Sequence, residues 1–409
     1  MPDVFAARQP IFDRDGRLHG YELLYRSDAA PPRPAGARVR LATDTVLHAL
    51  IGVGVSRFAG GGVLHVDFPR HFLLDALHDL FEPGTLVVEL RDVGRGDELT
   101  LAACERLVRA GYRLALEDFV FSEGCEPFLR LAEIVKIDVL GRPTAELAAI
   151  AERLRPFQVR LLAARVESGA VRDECARLGF DLFQGYFFAR PEPLARRPLA
   201  AEQAAVLGMM NLLRDPAATD EEVARAFRAD PSLAHRLLAL ADASAPRGDG
   251  VEALLLALHL VGREALARWL ALLFVLSLSA PSGTDAELVR MSLLRARLCE
   301  LIADERGEAS GPLFLAGLFS QLDALLQTPM EELLPGLRVT PPVRDALLAR
   351  RGPYANALDL AELYERGDWR AMAAAAARLG LAAERVAQLY TEALGWTRDR
   401  LARAARARG

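Results

Sequence analysis

The sequence predicts an α/β domain, a (β/α)8 TIM-like barrel, followed by an all-helical domain. In roughly the first 190 residues, short apolar runs typical of strands alternate with runs of helical periodicity. Polar residues end several of the strand-like runs, as they do at the mouth of a barrel enzyme. Beyond a proline-rich stretch at 190–198, nearly every segment has helical periodicity. The number of strand and helix repeats favours a closed barrel over an open sheet.

The predicted strands begin with a pair that flanks a tight turn. Residues 4–12 and 18–25 are predicted strands on either side of an Asp-Arg-Asp-Gly turn, and a helix is predicted from about 39 to 58. Short apolar strands separated by helices indicate parallel pairing in a sheet that helices cover. Further strands are predicted at 63–67, 85–90, 112–116, 134–137, 158–162 and 181–183, with helices at 98–110, 144–154 and 170–178.

The chain divides into four predicted segments. We expect a barrel domain at 1–190, a linker at 191–200, a helical domain at 201–395 and a basic tail at 396–409. Prolines in the linker favour a domain boundary there. The tail is interpreted as a solvated or frayed helix end, because cations are favoured near a helix C-terminus.

Composition limits the class of protein. A chain of 409 residues with 52% hydrophobic content is long enough to bury two cores. The net charge of −5 argues against nucleic acid as a partner. The 4 cysteines form no CxxC pair, so neither a disulfide framework nor a zinc site is predicted. No signal peptide is recognisable, and the most apolar stretch, at 269–280, is too short to span a bilayer. We therefore expect a cytoplasmic protein without a membrane partner.

Polar residues stand where several of the predicted strands end. In a barrel enzyme the active site is built at the C-terminal ends of the strands, so these residues are candidate site residues. They are Glu22, Asp67, Glu89, Glu117, Asp118, Lys136, Asp138 and Gln184.

Six motifs occur in order along the amino-terminal half. They are Arg-Gln-Pro at 8–10, Tyr-Glu-Leu-Leu-Tyr-Arg at 21–26, Glu-Leu-Arg-Asp at 89–92, Glu-Asp-Phe at 117–119, Lys-Ile-Asp at 136–138 and Gln-Gly-Tyr-Phe-Phe at 184–188. With these motifs the segment resembles the EAL family, barrel phosphodiesterases that linearise the bacterial second messenger cyclic di-GMP.

The carboxyl-terminal half carries four further motifs, at 230–238, 257–266, 314–323 and 364–369. With them it resembles the HDOD module, a metal-free relative of the HD hydrolases found in signalling proteins. The pairing resembles the YuxH-like EAL-HDOD proteins of bacteria. The resemblance implies that the helical domain is a scaffold that binds a signalling protein and passes a signal on.

The EAL resemblance also implies which residues hold metal and nucleotide. The family uses two divalent cations, and Mg²⁺ or Mn²⁺ prefer oxygen ligands. The matching metal positions are Glu22, Asp67, Glu89, Glu117 and Asp118, where the family usually has asparagine in place of Asp67 and aspartate in place of Glu117. The matching cyclic di-GMP positions are Gln9, Pro10, Glu22, Leu24, Arg26 and Gln184. Lys136 matches a lysine that stabilises charge.

Two departures from the family pattern argue against catalysis. The general-base glutamate is replaced by Ala164, and only Glu167, a supporting residue, remains of that pair. The flexible glycine loop after Asp118 becomes Val120, Phe121 and Ser122.

With no catalytic residue intact, Lys136 and Glu167 are interpreted as vestiges. We expect a signalling protein that is not an enzyme and requires no cofactor, with a degenerate barrel that binds cyclic di-GMP or a protein partner. One alternative is a weakly active, metal-dependent cyclic di-GMP phosphodiesterase that uses Glu117 or another carboxylate as base. The other is a purely structural protein scaffold without nucleotide binding.

Overall fold

The computed structural model describes residues 5–26, 62–68, 70–74, 81–91, 98–122, 124–189, 198–241, 251–279 and 283–406. Within these residues the strands close into a barrel in the order β1 to β8. Helices account for the regular structure that follows from Ala201 onward. The predicted fold class, a barrel followed by a helical region, is confirmed. The helix predicted at 39–58 and most of the predicted linker lie outside the described residues.

The first strand departs from the predicted parallel pairing. β1 (Phe5–Asp13) pairs antiparallel with β2 (Leu18–Arg26) and also with β8 (Leu182–Gln184). The reason is the short connection at 14–17, because a parallel crossover needs a dozen or more residues. Asp13 Oδ1 accepts hydrogen bonds from the backbone N–H groups of Asp15 and Arg17, which closes this turn. The parallel pairing expected for strands that alternate with helices therefore does not extend to β1, which only a tight turn separates from β2.

The remaining strands pair in parallel and alternate with helices, as predicted. The strands are β3 (Val63–Asp67), β4 (Leu86–Leu90), β5 (Arg113–Leu116), β6 (Ile134–Asp138) and β7 (Arg160–Ala164). The helices of this region are α1 (Arg70–Leu74), α2 (Glu98–Arg109), α3 (Glu126–Leu131), α4 (Thr144–Leu154) and α5 (Gly169–Arg177).

The barrel interior is layered because side chains in a strand alternate between its two faces. One interior layer is apolar and includes Ile11, Val87, Ala115, Ile134, Leu162 and Leu182. Two residues further toward the carboxyl ends of the parallel strands, the same face carries Glu89, Glu117, Lys136, Ala164 and Gln184. A polar layer thus lies directly above an apolar floor.

Two compact units can be distinguished. The first comprises residues 1–190 together with 281–287 and 362–391. Within it, motif residue Tyr21 is buried and its hydroxyl donates a hydrogen bond to Glu287 Oε2 at 2.5 Å. The Arg8 guanidinium lies 4.2 Å from the centre of the Tyr21 ring. Arg8 and Tyr21 therefore contribute to the packing of this unit.

The second unit comprises residues 191–280, 288–361 and 392–409. Among the described residues, no helix is both long enough and apolar enough to cross a bilayer. The helices of the carboxyl-terminal half are α6 (Ala201–Leu213), α7 (Asp220–Ala229), α8 (Pro231–Leu240), α9 (Val251–Val261), α10 (Arg263–Ser277), α11 (Thr284–Arg306), α12 (Ser310–Phe319), α13 (Leu322–Leu326), α14 (Met330–Leu333), α15 (Pro341–Ala349), α16 (Ala355–Glu365), α17 (Trp369–Arg378) and α18 (Ala383–Arg406).

Candidate active site

Three carboxylates converge in the polar layer of the barrel. Glu22 comes from β2, Glu89 from β4, and Glu117 from the residue that follows β5. All three are buried, and one oxygen of each lies within 4.8 Å of the others. Carboxylate oxygens at this separation suit a hard divalent cation such as Mg²⁺ or Mn²⁺. The structure therefore brings together three of the five predicted metal ligands.

Lys136 lies among these carboxylates. Its Nζ is 2.7 Å from Glu22 Oε2, 3.0 Å from Glu117 Oε1 and 3.7 Å from Glu89 Oε2. Burial lowers the pKa of Lys136, but the three carboxylates raise it by more, so the net shift is upward and the ammonium keeps its proton. This buried cation neutralises part of the negative charge that the strands bring together.

The three carboxyls differ in how readily they ionise. Burial raises the pKa of Glu22, but Lys136 and a hydrogen bond from Gln184 lower it by more, so the net shift is downward. Burial raises the pKa of Glu89 to about 8, and it also raises the pKa of Glu117. Glu22 is thus the most readily ionised of the three carboxyls, and at neutral pH its negative charge neutralises the positive charge of Lys136 more fully than the other two do.

His65 is a buried neighbour of the cluster that the sequence did not indicate. Its Nδ1 lies 3.0 Å from Glu89 Oε1. Burial, with Lys136 as the next cause, lowers the pKa of His65 to about 3, so the imidazole is neutral at physiological pH. Strand alternation could have found it, since His65 lies midway between Val63 and Asp67 on one face of β3.

Arg91 is a second residue that sequence reasoning missed. It directly follows β4, and its Nε lies 2.6 Å from Glu117 Oε2 and 3.4 Å from Asp67 Oδ2. Burial raises the pKa of Asp67 to about 6, and Arg91 opposes this shift. Because Lys136 contacts Oε1 of Glu117 and Arg91 contacts Oε2, both oxygens of that carboxylate are already paired.

The predicted nucleotide-binding residues lie in β1, β2 and β8. Gln184 Nε2 donates a hydrogen bond to Gln9 Oε1 at 3.0 Å and another to Glu22 Oε2. Pro10 is buried, and Leu24 lies against Gly367. The side chain of Arg26 lies outside the described residues. Their role in binding stays a prediction.

The remaining predicted residues do not belong to the group of three converging carboxylates. Asp118 and Glu167 are exposed, and Asp118 has a positive φ of 49°. Ala164 ends β7, is buried, and has Asp138 as its register partner on β6. In the loop after Asp118, Phe121 packs against Phe119 and against the guanidinium of Arg153.

The donor set fits a divalent cation. Three carboxylates converge here. One oxygen of one of them, Glu89 Oε2, is buried and has no hydrogen-bond partner among the described residues. Lys136 Nζ, at 3.7 Å, is too far from it for a hydrogen bond. A buried carboxylate oxygen without a partner is costly unless a cation or a proton satisfies it.

Comparisons with known proteins identify the family of each part of the chain. Residues 63–191 match the EAL domain, and residues 199–332 match the HDOD domain. The cyclic di-GMP phosphodiesterase CdgJ of Vibrio cholerae serotype O1 is 30% identical over 409 residues, which cover 98% of this chain and 93% of CdgJ. The chain belongs to the EAL-HDOD family.

Two other similarities follow from the same comparisons. The uncharacterized protein YuxH of Bacillus subtilis is 29% identical over 401 residues, which cover 96% of this EAL-HDOD chain and 98% of YuxH. A solved structure of the Bacillus subtilis YkuI protein, with an EAL domain and in complex with c-di-GMP and calcium, is 18% identical. It matches 45% of this chain and 54% of the YkuI chain, with a TM-score of 0.36.

The expectation that this EAL-HDOD protein is not an enzyme is wrong. It is contradicted by CdgJ, a relative of almost the same extent that is named a phosphodiesterase. The expectation rested on Ala164 and the altered loop, although these are only part of the site. Loss of one side chain at the end of β7 leaves Glu22, Glu89 and Glu117 together around Lys136.

Proposed function

We propose that this protein is a metal-dependent phosphodiesterase that hydrolyses cyclic di-GMP to a linear product. The observation that carries the proposal is the convergence of Glu22, Glu89 and Glu117 at the barrel mouth. The likeness to CdgJ supports the choice of substrate.

Each residue of the site would have a distinct role in the reaction. Glu22, Glu89 and Glu117 would hold Mg²⁺ or Mn²⁺, which activates water and neutralises phosphoryl oxygens when bound. The Lys136 ammonium is held protonated beside them and would stabilise negative charge that builds on the phosphate. Gln184, which already donates a hydrogen bond to Glu22, would keep that carboxylate oriented.

Proton removal is the weak step of this site. Ala164 cannot accept a proton, and Glu117 is a poor substitute base because Lys136 and Arg91 already pair both of its oxygens. A positioned general base is worth about 10² to 10⁴ in rate. We therefore propose slow turnover, with bulk water accepting the proton.

The direct test is to measure linear product by chromatography after incubation of purified protein with cyclic di-GMP and Mg²⁺ or Mn²⁺. We expect product that depends on the metal. Glu89→Gln keeps the shape of the side chain but removes one carboxylate, so we expect the rate to fall at least about tenfold through weaker metal binding. Absence of product with either metal, at protein concentrations near that of the substrate, would overturn the proposal.

Arg91 should weaken cation binding at this site. Its guanidinium occupies Glu117 Oε2 and lies near Asp67, so a cation that uses Glu117 must compete with it. Arg91→Gln should tighten Mn²⁺ binding on the order of tenfold, equivalent to about 1.4 kcal/mol. Free Mn²⁺ can be titrated by electron paramagnetic resonance, which requires no turnover.

Arg109→Gln is the matched control, because Arg109 is exposed on α2 and pairs with Glu105. It should leave Mn²⁺ affinity unchanged. If Arg91→Gln binds Mn²⁺ no more tightly than this control, Arg91 does not compete with the cation.

The helical domain is predicted from the HDOD resemblance to bind a signalling protein, and we keep that as a proposal. Its test is pull-down with the full chain from a bacterial lysate, in the presence and absence of cyclic di-GMP.

A further inference from the structure

The helical unit contains a cavity of about 480 Å³. Its walls come from the end of α6, the start of α10, the start of α12 and the segment that leads into α15. A volume of this order is typical of small-molecule sites. The lining includes four arginines, one glutamate and several apolar residues.

Arginine is the dominant charged residue of this lining, and Glu264 is the lining carboxylate. Three of the four arginines are held by carboxylates that do not themselves line the cavity. The pairs are Arg263 with Asp220, Arg268 with Glu300 and Arg338 with Asp215. These pairs fix the guanidinium groups in place, and a guanidinium has five N–H donors, which allows further bonds to a ligand.

Arg214 lacks such a carboxylate partner among the described residues. Its Nη1 donates to the carbonyl oxygen of Leu337 at 3.1 Å, while its Nη2 is buried and has no hydrogen-bond partner among them. Burial lowers the pKa of Arg214 to about 10, which leaves it charged at neutral pH. A buried N–H donor without an acceptor is costly, and an anion in the cavity would satisfy it once a small rotation of the guanidinium brings Nη2 to the cavity surface.

Helix N-termini add positive potential to the same cavity. α10, α12 and α15 all contribute residues from their first turn or N-cap, namely Arg263, Gly311 and Thr340. None of these helices has a side-chain hydrogen bond at its N-cap. The uncapped first-turn amides of α10 and the helix dipoles favour a bound anion, whereas Pro341 and Pro342 at the start of α15 and Pro312 in the first turn of α12 have no N–H to donate.

Gly311 keeps the cavity open beside Glu264. A Cβ atom at position 311 would lie 2.5 Å from Glu264 Oε1. Any side chain at this position would therefore displace the carboxylate. The apolar remainder of the lining, which includes Leu213, Ala267, Leu315 and Val343, offers a surface for a non-polar part of a ligand.

We propose that this cavity binds a phosphorylated small molecule of mononucleotide size, with its phosphate at Arg214 and the helix N-termini. Arginine pairs with phosphate through two parallel hydrogen bonds, which suits this choice. The cavity is larger than a phosphate group alone needs, and its apolar wall would contact the base or sugar. This site is independent of the activity proposed for the barrel.

The test is isothermal titration of the full chain with GMP and with pyrophosphate, in the presence of a chelator that removes divalent cations. We expect saturable GMP binding. Arg214→Met keeps the length of the side chain but removes its charge, and GMP binding should weaken at least tenfold. Glu264→Gln removes the lining negative charge without changing shape, and binding of both GMP and pyrophosphate should tighten severalfold.

Opposite effects from two neighbouring variants would exclude a general loss of folding as the cause. Arg344 is an exposed residue of α15 that does not line the cavity, so the Arg344→Gln variant should bind GMP as the unmodified protein does. If Arg214→Met does not fold, Glu264→Gln decides the question alone. The proposal is overturned if GMP gives no saturable heat, or if Glu264→Gln binds both anions as the unmodified protein does.

Discussion

Ala164→Glu should raise the rate of cyclic di-GMP hydrolysis by about 10² to 10⁴, the range attributed to a positioned general base. Ala164 follows Leu162 by two residues on β7, so its side chain lies in the same interior layer as Lys136 and Gln184. Its register partner Asp138 is two residues beyond Lys136 on the neighbouring strand. The nearby ammonium would keep the new carboxylate ionised and able to accept a proton.

Ala164→Gln is the matched control for this prediction. It adds a side chain of the same size and hydrogen-bonding reach but cannot act as a base near neutral pH. The measurement is kcat for linear product under saturating Mn²⁺. An equal gain in both variants would show that packing, not proton transfer, limits the rate, and no gain in either would show that another step limits it.

Much of the barrel could be predicted because each strand is a short apolar run with helical segments between most of them. The parallel strands from β3 to β8 were found within about two residues of their observed ends. β1 is also predicted as a strand. Its antiparallel direction relative to β2 follows from the turn at 14–17, which is too short for the crossover that parallel strands need.

The site was predicted in part because polar residues end the apolar runs. Glu22, Glu89, Glu117 and Lys136 were all candidates, and strand pairing brings them together. Sequence could not show that Lys136 touches three carboxylates, since this depends on the register of four strands. Nor could the sequence show that Arg91 contacts Glu117 and Asp67, because the direction of a long side chain beyond a strand end is set by the residues with which it pairs.

The wrong expectation about activity has a related cause. A family pattern records which residue stands at each position, so Ala164 counted as the loss of function. Charge at the barrel mouth is a property of the whole polar layer, in which Glu22, Glu89, Glu117 and Lys136 still interact. One missing base lowers a rate, whereas loss of the carboxylates would remove the cation site itself.

Lys136→Met should destabilise the barrel by about 3 to 5 kcal/mol near neutral pH, the cost of removing one partner from a buried ionic cluster. Lys136 is 5% exposed and contacts Glu22, Glu89 and Glu117. Methionine keeps the length of the side chain, so lost packing contributes little. The three carboxyls would then be buried without Lys136, with Arg91 still paired to Glu117, and burial would favour their protonated forms.

The loss of stability in Lys136→Met should depend on pH. In the variant, burial is no longer opposed by Lys136, so the pKa values of Glu89 and Glu117 should rise further above their unfolded values, and that of Glu22, which is lowered in the unmodified protein, should rise as well. A carboxyl with a raised pKa binds more protons in the folded state, so stability falls as pH rises above the unfolded value. The loss relative to the unmodified protein should therefore be larger at pH 8 than at pH 5.

Urea denaturation at both pH values measures this difference, and Arg142→Met provides the comparison. Arg142 forms an exposed pair with Glu146 on the surface, and such pairs contribute about 0.5 kcal/mol or less. A loss for Lys136→Met that is as small as the control, or that is equal at the two pH values, would contradict the conclusion that Lys136 stabilises this buried cluster. A large loss that becomes smaller at pH 5 would show that the Lys136 ammonium stabilises the buried carboxylates of this barrel.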